Sequence, residues 1–197
     1  MRTRHTVLAA VGGAVLGVLA LGLTGCGVTD EQAQKVLEGR LGHTSVTVFP
    51  TAIRAIGREQ PVTYNTTAAA KAGQFIEEQK LATVTLAGAE VPLTGGWQNN
   101  QAKMFSTSAT ELGAYVKAHP IGTEYAFMAE YLVGGNWVGG VHYYIVDANG
   151  VVATGRLSNS DWPVFKRINP QSLEDCDRLL IAMIEEALAE LKESGHL

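Results

Sequence analysis

The chain has 197 residues, 46% of them hydrophobic, with 15 Lys+Arg against 19 Asp+Glu and a formal net charge of −4. That length supports one domain of ordinary size with a real core. The mildly acidic balance excludes electrostatic steering toward nucleic acid or an anionic lipid surface.

Taken in chain order, the first stretch reads as a leader. Arg2 and Arg4 precede an uncharged run over residues 7–23, which closes on Leu23-Thr24-Gly25-Cys26. A basic start stays on the cytoplasmic side, an apolar run partitions into the bilayer, and small residues near the end leave the backbone open to a peptidase. A spanning helix needs about twenty apolar residues. The run is close to that length, but Gly12, Gly13, Gly17, Gly22 and Gly25 interrupt it and no basic flank follows.

The closing tetrad resembles the lipobox of bacterial lipoproteins. The resemblance implies a signal peptide over residues 1–25, cleavage before Cys26, lipid on Cys26, and a membrane-anchored chain on the extracytoplasmic face. Gly27 stands where inner-membrane retention is associated with aspartate, which implies the outer membrane, facing the periplasm, in a source with two membranes. Loss of Arg2 and Arg4 moves the formal charge from −4 to −6, so attachment must come from acyl chains at about 0.8 kcal/mol per methylene. Lipidation of Cys26 would leave Cys176 without an intramolecular partner and so exclude a disulfide framework. Cys176 falls on an apolar helical stripe and reads as a small buried thiol.

Thr29-Asp30-Glu31-Gln32 forms a capping box opening a short helix with Ala33, Val36 and Leu37 at helical spacing, ended by Gly39 and Gly42. Residues 26–44 are thus a lipidated start plus one helix, and residues 45–197 a single domain. Residues 45–49 alternate as a strand stopped by Pro50, and residues 51–64 read as irregular. Asn65 or Thr66 caps a helix burying Ala68, Ala72, Phe75 and Ile76, and residues 81–86 form a second strand. Residues 87–107 read as a long loop, and Ser108-Ala109-Thr110-Glu111 as a capping box opening a short helix with Leu112, Tyr115 and Val116 inward.

Residues 124–133, 141–146 and 151–157 read as a three-strand antiparallel meander, with the second turn marked by Asn149-Gly150. A loop over 158–163 leads to a last helix opened by Ser172-Leu173-Glu174-Asp175. Its stripe runs Leu173, Cys176, Leu180, Met183, Ile184, Ala187, Leu188 and Leu191. The expected class is α/β (α+β), a single layer of mixed sheet covered by about four helices.

Chemistry is sparse. The glycine-rich stretch 134–140 lies between strands, so it makes a hairpin and not a phosphate cradle. A symmetric turn there places Glu130 opposite Tyr144 and Leu132 opposite His142. Those groups are expected to be a solvated or hydrogen-bonded sheet face, the alternative being acid–base work by Glu130 and His142. No catalytic residue, metal ligand set or cofactor motif is expected. Trp137 at the hairpin tip, with Asp161 and Trp162 in the 158–162 loop, are the candidate partner contacts.

The order of elements over residues 45–191 is similar to small envelope domains of the CsgG, LpoB and TolB amino-terminal type. An opening strand like Val46-Thr47-Val48-Phe49-Pro50 precedes a helix there, and a late hairpin precedes a long terminal helix. The resemblance carries over no binding residue. The leading expectation is a lipid-anchored, non-enzymatic accessory or assembly factor that binds another envelope protein. The alternative is an envelope enzyme or small-ligand receptor built from the 87–107 and 158–162 loops.

Overall fold

The computed structural model describes residues 44–57, 60–94 and 100–193. The expected leader, Cys26, the helix expected after Thr29 and Trp97 lie outside these residues. The mixed α/β class expected from sequence is what forms. Seven strands build one sheet: β1 (Ser45–Val48), β2 (Thr51–Ala55), β3 (Thr63–Asn65), β4 (Thr83–Leu86), β5 (Tyr125–Val133), β6 (Val138–Asp147) and β7 (Val152–Ser158). The described helices are α1 (Thr66–Glu78), α2 (Gln101–Ala118), α3 (Pro163–Ile168) and α4 (Leu173–Glu193).

β5 is the central strand. β6 pairs antiparallel along one edge over its whole length, and β7 follows β6, completing the expected meander. β1 and β2 run in tandem along the other edge, both parallel to β5, with β4 and β3 outside them. Residues 51–64, expected to be irregular, therefore hold two strands.

The junction at Pro50 decides which side chains meet. Val48 lies opposite Phe127, whereas Ala52 lies opposite Glu130, so residues 49–51 face only residues 128 and 129. One extra residue is a β-bulge, and it reverses the inward–outward alternation. Val46 and Val48 point to one face, while Phe49 and Ala52 point to the other. Arg54, two residues beyond Ala52, follows it onto that second face.

On the first face α1, α3 and α4 cover Val46, Val48, Phe127, Ala129 and Tyr131. The α4 stripe holds, with Cys176, Leu180 and Met183 buried, but Leu173 is 41% exposed and Leu179 takes an inward place. The expected box at its start forms: Ser172 Oγ accepts from Asp175 N at 3.2 Å, and Asp175 Oδ2 accepts from Ser172 N at 3.1 Å. Asn65 caps α1 by accepting from Ala68 N at 2.9 Å.

The second face is covered by α2, which departs from expectation. Asn100 caps it at Lys103 N, so the helix starts at Gln101, inside the expected 87–107 loop. Ser108-Ala109-Thr110-Glu111 sits in mid-helix. The signal was the four-residue spacing of Met104, Ser108, Leu112 and Val116, all of them buried. Gly113 lets α2 approach the β6–β7 turn: a Cβ there would meet Gly150 O at 2.2 Å.

Candidate functional site

Two regions gather the residues that carry chemistry. The first is a polar knot buried between β5, β6 and the N-terminal half of α2. The register across β5 and β6 differs from the symmetric expectation: a tighter turn and a bulge between Leu132 and Val133 set Glu130 opposite His142 and Leu132 opposite Gly140. The reversed alternation at Pro50 brings Arg54 to the same place. Arg54 Nε donates to Glu130 Oε1 at 2.7 Å, and the Tyr144 hydroxyl donates to Glu130 Oε2 at 2.6 Å. His142 Nδ1 lies 3.0 Å from the Tyr144 oxygen. Because the Tyr144 proton is committed to Glu130, Nδ1 must carry a hydrogen and donate to that oxygen. His142 Nε2 is then left buried without a partner. Phe105 of α2 packs edge-on to His142 and tilted against Tyr144, with ring centres 5.6 and 4.9 Å away. Ser108 neighbours the Tyr144 hydroxyl, but its Oγ meets no partner at hydrogen-bonding geometry.

Burial alone would push the Glu130 carboxyl up. The neighbouring His142 ring, the Arg54 guanidinium and the Tyr144 hydroxyl outweigh it and hold the carboxyl at about 2. Burial and the adjacent carboxylate drive the Tyr144 phenol well above its ordinary range. Glu130, His142 and Tyr144 are fully buried, so no substrate reaches them in this conformation. The expected hydrogen-bonded sheet face is there, but it is dry, and Arg54 was missed because its strand was hidden behind Pro50. Arg156 faces the opposite side, beside Tyr143, and pairs with Glu190.

The knot has a pH consequence. Glu130 is depressed in the folded state from an ordinary value of 4.5 to about 2. Its contribution, on the order of 3 kcal/mol, is present above about pH 4.5 and lost as pH falls through about 2. Urea unfolding of wild type should show stability falling across that window, and Glu130→Gln should flatten the slope there. An identical slope in the variant would remove Glu130 as its source.

The second region is the end of the sheet where β2, β5 and β7 finish and β6 begins. Gly134 N donates to Trp137 O at 2.7 Å, closing a tight hairpin. A side chain at Gly134 would collide with the indole at 2.1 Å, and one at Gly139 would meet Ile56 at 2.2 Å and the indole at 3.1 Å, so these glycines make the bed on which Trp137 lies. One face of the ring rests on its own hairpin, and the residue stays 48% exposed. Trp162 stands before α3 at 44% exposure, and its N–H donates to Asn159 O at 2.9 Å. Asp161 is exposed beside it, its N–H held by Asn159 Oδ1 at 3.0 Å. Gln101, at the start of α2, ties the two loops together: its Nε2 donates to Gly139 O at 3.0 Å, and its Oε1 accepts from Asn159 Nδ2 at 2.8 Å. The candidate contacts Trp137, Asp161 and Trp162 therefore share one end of the sheet, and Gln101 is the residue that sequence reasoning missed.

Among the described residues no group of three His, Cys, Asp or Glu could hold a metal ion. No helix among them is long and apolar enough to cross a membrane. Cys176 is fully buried, and burial pushes its thiol up to about 12, which suits a packing residue.

The architecture defines a class, a mixed α/β sheet with helices on both faces. No protein-family model matches the chain, and no curated protein matches it. Solved structures give slight likenesses. A single-substitution variant of the PelC dodecamer from Paraburkholderia phytofirmans is 17% identical with a TM-score of 0.32, over 61% of this chain and 76% of that one. The LpoB C-terminal domain from Salmonella enterica has a TM-score of 0.30, covering 76% of this chain and 96% of that one. Likeness at this level transfers neither function nor partner.

Proposed function

We propose that this protein is a lipid-anchored component of the cell envelope that works by binding another envelope protein, as an accessory or assembly factor. Acylated Cys26 would hold it on the extracytoplasmic face, facing the periplasm from the outer membrane in a source with two membranes. The observation that carries this reading is the polarity of the sheet. The chain enters at Thr44, at one end of the sheet, and the parallel run of β1, β2 and β5 ends beside Trp137. The nine residues of β5 span about 30 Å at roughly 3.3 Å per residue. A short tether leaving from Thr44 would favour the membrane at that end and leave the half-exposed Trp137 and Trp162, with Asp161, free at the other. Exposed tryptophans are what binding surfaces concentrate.

The rival reading is an envelope enzyme or small-ligand receptor built from the 87–107 and 158–162 segments, where the Gln101 side chain spends its hydrogen bonds on Gly139 and Asn159. The test is photo-cross-linking in cells with a reactive residue at 137 or 162, against a control at Val151, which is exposed at the other end. Discrete protein adducts from 137 and 162 but not 151 are expected. Adducts to lipid alone, or equal labelling from all three, would overturn the proposal.

A further inference from the structure

The β6–β7 ladder ends on the pair Val141 and Ser158. Just before it on β6, Gly139 is the extra residue of the bulge, left between Val138 and Gly140 without a partner on β5. Among the described residues no backbone hydrogen bond joins the segment 134–140 to the segment 159–162. The Gln101 amide stands in that gap. Its Nε2 donates to Gly139 O at 3.0 Å and its Oε1 accepts from Asn159 Nδ2 at 2.8 Å, one donor and one acceptor turned to opposite sides as in a backbone peptide. Gly140 lies directly beneath: a Cβ there would sit 3.5 Å from the amide and 2.8 Å from Ser158 O.

The direction of every bond is fixed. Gly139 O can only accept, which turns Nε2 toward it and Oε1 toward Asn159. Asn159 must then donate through Nδ2, which leaves its Oδ1 to accept from Asp161 N at 3.0 Å, while its carbonyl accepts from Trp162 N at 2.9 Å. One relay therefore runs from Gly139, in the bed of Trp137, to the backbone of Asp161 and Trp162, and amides aligned in one direction strengthen each other. Gln101 is the first residue of α2, one turn before Phe105, which packs on His142 and Tyr144. The helix that roofs the polar knot thus fixes where the amide stands.

We propose that Gln101 is the positioning residue that makes the Trp137 hairpin and the Asp161–Trp162 loop a single recognition surface, which a partner protein engages at both loops together. This rests on the binding role proposed above and adds what sets the spacing of that surface. Two loops held in register before contact cost less ordering when the partner arrives. Methionine at 101 keeps the length of the stem but neither polar group, and aspartate at 159 keeps the bond to Asp161 N but cannot donate to Gln101.

The test repeats photo-cross-linking in cells from positions 137 and 162 in chains carrying Gln101→Met or Asn159→Asp. Lys103→Met, exposed on the same turn, is the control, and amide hydrogen exchange is measured on the purified chains. Either break should lower adducts at both positions together several-fold and speed exchange at Asp161 N–H several-fold, with Tm within a few degrees of wild type and the control unchanged. Undiminished adducts in both variants, a loss confined to one position, or wild-type exchange at Asp161 in both would overturn the proposal and leave the binding role standing. No adducts from the wild-type chain would overturn the binding role and the proposal with it.

Discussion

Glu130→Ala should cost about 3–5 kcal/mol of stability, because it removes from the interior the carboxylate that Arg54 and Tyr144 share. Arg54 is 3% exposed and Glu130 fully buried, so water cannot replace the missing partner without opening the α2–sheet interface. Tyr144 loses its acceptor at the same time. For a domain of this size each kcal/mol moves Tm by about 2–4 °C, so calorimetry should register a fall on the order of 10 °C. The informative control is the pair Arg54→Met with Glu130→Leu. Removing both charges removes the desolvation cost as well as the attraction, and buried ion pairs replaced by apolar groups of similar volume are often neutral or stabilising. The double variant should recover most of the loss. A double variant as unstable as Glu130→Ala would mean that Glu130 acts through something other than Arg54.

The second large effect belongs to α4. Leu180 is 1% exposed and packs with Cys176, Leu179 and Met183 against the sheet. Leu180→Ala should cost about 2–5 kcal/mol, the lost transfer free energy plus the cavity left behind. Leu173→Ala on the same helix, at 41% exposure, should stay within about 0.5 kcal/mol. Denaturant midpoints of the two variants check the contrast. Similar losses at both positions would contradict the stripe as the structure sets it.

What the residues disclosed in advance follows physical lines. The meander was legible because residues 125–133 are an apolar run of strand length broken only by Glu130 and Asn149-Gly150 marks a turn, and α4 because its apolar period is long and its Ser172 box local. The tandem strands around Pro50 were not legible. Proline reads as a stop, and a one-residue bulge that continues the strand and reverses its faces is a tertiary event. The same bulge hid Arg54, so a four-residue knot was read as three groups on one sheet face. Register failed for a related reason: the turn is tighter than residues 134–140, so Val133 meets Val138, and the irregularity between Leu132 and Val133 then moves the ladder back by one, which sets His142 and not Tyr144 opposite Glu130. Trp137, Asp161 and Trp162 could be named singly as exposed candidates. Their meeting at one end, through Gln101, depends on a helix whose start was taken for loop.

The proposed tether at the Thr44 end of the sheet is tested most directly by the mass of the native protein extracted from membranes. A mature chain beginning at Cys26 with acyl groups on that residue, absent from membranes in Cys26→Ala, is the predicted result. A chain with a bare Cys26 thiol, or with residues 1–25 still attached, would contradict it.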